Sequence, residues 1–311
     1  MQILLLGACS GIKPTPLASE TFFDTSTPQM VFTDATSTIT QTIPSSTLTS
    51  TPLPTVTVVL RLPPDRWQEW PVIPATVSQR TKEIYRHGLE LGNNPHAFSK
   101  IGDGGAATVW FLTDFDLGIE YYNLGTYTSL QGVIDYFKGS FGRISVAAGR
   151  GFNTTILLDP AFADNIICEA AESPLDCELH QQRPSFAFFS LGTNQAWYPD
   201  LFASELRIII EHLLERGVIP ILSTKADNRE GNQRINQIIA SLAYEYDLPL
   251  WNFWKAVQPL PNHGLQADLE HLTWAGPFFD DPARMENGWP WRNLTALQVL
   301  DYINHSVGEQ P

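Results

Sequence analysis

Two short stretches carry residue types that could do chemistry together. Asp268-Leu269-Glu270-His271 sets a carboxylate and an imidazole three positions apart, so both can face one cleft from a single turn. An imidazole takes up and returns a proton near neutral pH, and a carboxylate beside it fixes its tautomer. Phe98–Thr108 (FSKIGDGGAAT) reads as a buried strand, with Phe98 and Ile101, that stops at Gly102-Asp103-Gly104-Gly105. A strand ending in a glycine turn is where an α/β fold places its active centre, outside the carboxyl end of the strand. Gly192-Thr193-Asn194 follows another strand-like run, Ser185–Leu191. Each stretch alone has a plainer reading, His271 as a polar surface residue and Asn194 as an ordinary turn residue. Their order along the chain and their strand-end context favour reading them jointly.

Joined, these blocks resemble the SGNH/GDSL hydrolases over nearly all of residues 95–275. In that family Gly-Asp is followed by a nucleophilic serine, and here the serine position holds Gly104. A glycine after the next strand lends its N–H to the oxyanion; Gly149 is assigned that place, with Gly151 an equal fit. The asparagine of Gly-x-Asn donates its side-chain amide, here Asn194, although Gln195 stands where the family often has Asp. By the same resemblance Asp268 orients His271. The resemblance implies an α/β fold, a three-layer α/β/α sandwich with a parallel, flavodoxin-like sheet. It also implies acyl esters as ligands, and neither a cofactor nor a metal.

Ester hydrolysis builds negative charge on the carbonyl oxygen, and each preorganised N–H donor there is worth roughly 3–4 kcal/mol. Gly104 has no side chain and cannot form an acyl-enzyme. Three consequences stand open. The domain binds without cleaving; or His271 with Asp268 activates a water in the space a serine would fill; or a nearby hydroxyl, Thr108 or Ser145, substitutes.

Net charge is −14, which argues against nucleic acid, whose binding rests on Lys and Arg neutralising phosphates. Hydrophobic residues make up 43%, enough to bury a real core. Of the three cysteines, Cys9 follows Leu6-Gly7-Ala8 and looks like a bacterial lipobox. Met1–Leu6 is shorter than a full signal peptide, which places the true start upstream. Residues 10–59 are rich in Ser, Thr and Pro and cannot bury enough surface to offset the entropy of ordering them, so they read as a stalk. The expectation is an exported protein, lipid-anchored through Cys9 to the outer face of a bacterial membrane. Its folded domain spans 60–311 and is monomeric. Cys168 and Cys177 are expected to pair as a disulfide.

The elements that must position the site follow from apolar periodicity. Helices are expected over Val77–Leu91, Leu124–Phe137, Phe202–Arg216, Arg234–Tyr246 and Asn293–His305, and strands over Phe98–Gly102, Ile144–Ala148, Ser185–Leu191, Val218–Leu222 and Leu248–Phe253. Strands this continuously apolar, alternating with helices, argue for a parallel sheet covered on both faces. Asp227-Asn228-Arg229-Glu230-Gly231 at the active edge has two readings, a solvated charged loop and, second to it, a lining of the pocket. Of the nine tryptophans, Trp110, Trp197, Trp274, Trp289 and Trp291 lie beside or between the motif loops. Their faces would suit sugar rings, which makes a carbohydrate ester the preferred ligand class, with core or rim packing as the plainer reading.

Overall fold

The computed structural model describes residues 61–308. Cys9, the leader at 1–9 and the stalk at 10–59 lie outside these residues. Four parallel strands form one sheet in the order β1 (Asn94–Gly102), β2 (Pro184–Ser190), β3 (Ile219–Ser223), β4 (Leu250–Trp251). Sequential parallel neighbours need right-handed crossovers, which put their connecting helices on one face. Those helices are α2 (Pro174–Gln182), α3 (Pro199–Glu215) and α4 (Arg234–Glu245). The other face is covered by α1 (Gln79–Glu90) and α5 (Gly288–Gly308), which pack on each other. The result is the expected α/β sandwich with helices on both sides of a parallel sheet.

The core explains why these segments hold their conformations. Phe98, Ile101, Phe186, Phe189, Ile219, Ile221 and Leu222 of the strands are inaccessible to solvent. On α3, Leu206, Ile209, Ile210 and Leu213 fall on one face and are equally buried, as are Leu294, Leu297, Leu300 and Ile303 of α5. Each such side chain contributes roughly 1.5–3 kcal/mol of burial. Helix α1 starts at a serine cap, with Ser78 Oγ accepting the Thr81 N–H at 3.1 Å.

Four expectations are corrected. Ile144–Ala148 is not a strand; only a bridge from Ala148 to Gly102 remains, on the edge of β1 away from β2. That is the flavodoxin-like position of a second strand, reduced to one contact. Ile144 is 84% exposed. The Val146 N–H is taken not by a ladder but by the Glu178 carboxylate, at 3.1 Å. Leu248–Phe253 shrinks to Leu250–Trp251, because Pro249 has no N–H and Asn252 already caps the helix Phe253–Val257. Leu124–Phe137 is helical only over Gln131–Tyr136, after a 3-10 turn at Thr128–Leu130. The terminal helix runs the other way from expectation, starting five residues earlier than Asn293, at Gly288.

Cys168 and Cys177 form a disulfide, as expected. It ties α2 to the preceding loop, and next to Cys177 stands Glu178, 1% exposed. Glu178 accepts from Ser99 Oγ at 2.6 Å and pairs with Arg143 Nη1 at 2.7 Å, close enough for an ion pair but out of line for a hydrogen bond. One carboxylate thus joins β1, α2 and the segment leading to Gly149–Gly151. Among the described residues no helix is long and apolar enough to cross a membrane. Replacing Glu178 by Ala leaves Arg143 without its partner and should cost about 3–5 kcal/mol in urea unfolding. Replacing Ser99 by Ala should cost about 1 kcal/mol in the same measurement.

Candidate active site

Parallel strands deliver their carboxyl ends to one edge, and the loops that follow them meet there. Gly102 closes β1 against Ser190 of β2. A Cβ on Gly102 would lie 2.4 Å from the Ser190 carbonyl oxygen and 2.6 Å from Ala106 Cβ, so only glycine fits. Asp103 then caps a single helical turn, Gly104–Ala107, its Oδ1 accepting the Gly105 N–H at 2.9 Å. Asp103 is half-buried, and the loss of solvent around its carboxyl pushes the pKa up.

A cavity of about 780 Å³ opens above this turn. Gly104, Asn194 and His271 all line it, together with Asp103, Thr108, Arg150, Gly151 and Ser190. Three loops far apart in sequence therefore converge, as the sequence reading requires. Gly149 does not join them. Its N–H donates to the Gly102 carbonyl at 3.2 Å, and Phe152 packs against its α-carbon, so it has no donor to offer the cavity. Gly151, at φ +77° in the left-handed region, is the glycine that borders it. Ser145 is buried outside the cavity, its Oγ accepting the Ala147 N–H. Thr108 does line it.

The Asp268–His271 turn is built locally. Asp268 Oδ1 accepts the N–H groups of Glu270 and His271, each at 3.0 Å. Its Oδ2 lies 2.8 Å from His271 Nδ1. Leu269 between them takes φ +58°, a left-handed conformation that a non-glycine residue holds at a cost of order 1–3 kcal/mol. The cost is offset by the turn's own bonds, Gln266 N–H to the His271 carbonyl at 2.7 Å among them. The result is an imidazole with Nδ1 held and Nε2 without a partner among the described residues. The side chain is 70% exposed.

Asn194 donates one amide hydrogen to the Phe152 carbonyl at 2.8 Å, which fixes its side chain at the cavity wall. Its loop is anchored by a network that sequence reading assigned first to solvent. The Asp227–Gly231 loop is solvated at Asn228, Arg229 and Gly231, but its two acids turn inward and Asp227 lines the cavity. Asp227 is 3% exposed, accepting from Thr193 Oγ1 at 2.8 Å and from Lys225 Nζ at 2.7 Å, while Glu230 meets the same ammonium at 2.6 Å. Lys225 and Asp227 both line the cavity.

One further cavity residue was not anticipated. Arg292 of α5 is 5% exposed on the cavity floor, and its Nη2 donates to Ser190 Oγ at 2.8 Å. The signal was a single cation inside Trp289-Pro290-Trp291-Arg292, a run otherwise fit for burial. Trp110, 45% exposed, packs edge-on to Trp289 and tilted to Trp274, which is 58% exposed. Of the tryptophans named from sequence, Trp110 and Trp289 line the cavity; Trp197 and Trp291 do not.

No protein-family model matches the chain, and no curated protein does. Among solved structures, a lipolytic-type protein of the G-D-S-L family from Desulfitobacterium hafniense superposes with a TM-score of 0.40 at 13% identity, over 65% of this chain and 98% of its own. A GDSL-like lipase from Bacteroides thetaiotaomicron gives 0.41 at 13% identity, over 71% of this chain and 98% of its own. Neither value is high enough to fix a family; the chemistry has to come from the chain's own residues.

The Asp268 carboxyl pKa is depressed to about 2, by the His271 backbone N–H first, then the Glu270 backbone N–H, then the His271 ring. Its native charge therefore persists below the ordinary carboxylate range, and any stabilisation it gives is lost only as pH falls through about 2. A carbon-detected NMR titration should place its midpoint there. In a His271→Ala protein the midpoint should rise but stay below the ordinary value, because both backbone donors remain.

Proposed function

We propose that the domain is an ester-handling member of the SGNH/GDSL hydrolase type that works without a serine nucleophile. The observation that carries this reading is the convergence of Gly104, Asn194 and His271 on one cavity, with His271 Nδ1 held by Asp268 and Nε2 unoccupied. A water above Gly104 attacks the acyl carbonyl carbon while His271 Nε2 takes its proton. The carbonyl π electrons move to oxygen, and the oxyanion sits near the second amide hydrogen of Asn194 and the N–H groups of Gly104 and Gly151. Collapse expels the alkoxide, which takes the proton back from His271. The products are a carboxylic acid and an alcohol, and no covalent enzyme intermediate forms. Removing a nucleophilic serine costs about 10⁶ in rate where measured, so turnover is expected to be slow.

The exposed indole faces of Trp110, at the cavity, and Trp274, packed beside it, favour a sugar ring on the ligand through stacking. The second reading keeps that ring and drops the chemistry, giving a glycan-binding domain in the same cavity. Exported through Cys9 and held off the outer face of a bacterial membrane by its stalk, either form would meet extracellular glycans. Replacing Cys9 by Ala should move the full chain from the detergent phase to the aqueous phase in a Triton X-114 partition; continued detergent partition sinks the lipid anchor.

Hydrolysis of p-nitrophenyl acetate separates the two readings. A His271→Ala protein should lose about 10²-fold or more of the rate. Equal background rates in both proteins would leave the binder. Gly104→Ser supplies the missing hydroxyl at a site that can take it. Its Cβ would lie 3.5 Å from Arg150 Cγ, ordinary contact, and Gly104 is not in the left-handed region. That protein should gain at least about 100-fold in rate; no gain in a folded variant means the site is misassigned.

A further inference from the structure

The cavity lining carries three carboxylates, Asp103, Asp227 and Glu270, and three fixed cations, Arg150, Lys225 and Arg292, but they are not all paired. Of its acids, Asp227 is held by Lys225 at 2.7 Å and Glu270 by Arg229 at 3.1 Å. Arg292 has no carboxylate within ion-pair distance among the described residues. Its hydrogen bond goes to Ser190 Oγ, its Nη1 has no hydrogen-bond partner, and its Nε is buried without one. Four rings surround the guanidinium, those of Phe111, Phe253, Trp251 and Trp289, at 4.7, 5.3, 5.6 and 5.6 Å. Such faces soften the burial of a cation but do not replace a counter-ion. Asp103, whose Oδ1 accepts the Gly105 N–H, acts on the guanidinium through space but forms no ion pair with it. Arg150, also at the cavity, makes no ion pair among the described residues either.

We propose that the ligand carries a carboxylate beside its ester bond, and that Arg292 and Ser190 bind it. The planar anion takes N–H groups from Nη1 and Nη2, and the Ser190 hydroxyl, which already accepts from Nη2, donates its proton to the same group. A carboxylate suits this place better than a phosphate, because only the end of one planar fork and one hydroxyl are free. The proposal rests on the ester-site reading and narrows it to acidic acyl or acidic sugar esters.

Calorimetric titration with sodium benzoate and with benzamide, alike in size and unlike in charge, tests it on the full chain. Benzoate should bind at least about tenfold more tightly than benzamide. Arg292→Lys, which keeps the charge and loses the fork, should weaken benzoate about tenfold, and Ser190→Ala about fivefold, with the circular dichroism of both unchanged. Equal binding of the two probes, tighter binding of inorganic phosphate than of benzoate, or a folded Arg292→Lys protein that binds benzoate like wild type overturns the proposal. Comparing p-nitrophenyl acetate with mono-p-nitrophenyl glutarate keeps the two readings apart. Selective benzoate binding with neither ester hydrolysed sustains the anion site and removes the hydrolase. His271-dependent acetate turnover without selective benzoate binding does the reverse.

Discussion

The tight packing of Gly102 against the Ser190 carbonyl, where no side chain would fit, sets where everything else in the site can be. Asp103 follows directly, and its N–H reaches that same carbonyl at 3.3 Å. The turn bearing Gly104 is thereby pinned to the end of β2, whose next residues form the loop of Asn194. On its other edge Gly102 bridges to Ala148, and the Gly149 N–H closes on the Gly102 carbonyl. One residue without a side chain thus holds three segments in register. The same bond that makes Gly149 structural removes it from the chemistry and leaves Gly151 exposed to the cavity.

Charge is distributed around this frame in two ways. Lys225, Asp227 and Glu230 form a closed network, well matched and buried, that stiffens the loops of Asn194 and His271. Arg292 is the opposite case, a buried cation with rings, one hydroxyl and only the more distant Asp103 carboxylate acting on it. Burial brings its pKa down to about 10, which still leaves it charged at neutral pH. A closed network contributes rigidity. An open charge at the floor of a cavity contributes selectivity, because the missing partner must come from outside the protein.

What sequence could disclose depended on the range of the interactions. The interior strands around Phe98, Phe188 and Ile221 were legible because burial on both faces writes a continuous apolar run. The amphipathic faces of α3 and α4 were legible by period. The Asp268–His271 pair could be read because both members sit within one turn. Ile144–Ala148 has the composition of a strand and is not one, because the group that satisfies its backbone is a carboxylate on α2, remote in sequence. Lys225 and Asp227 look like surface charges until Thr193 and Glu230 are seen beside them. Arg292 becomes notable only once Phe111, Trp251 and Phe253 are known to encircle it.

The left-handed Leu269 makes the base and its orienting acid a self-contained cassette. Every bond that fixes the imbalance of charge between Asp268 and His271 runs within six residues, from Gln266 to His271. The Arg229–Glu270 pair then braces that turn against the loop after β3. A ligand entering the cavity would meet an imidazole whose Nδ1 is already oriented by its own turn, whatever that ligand touches elsewhere.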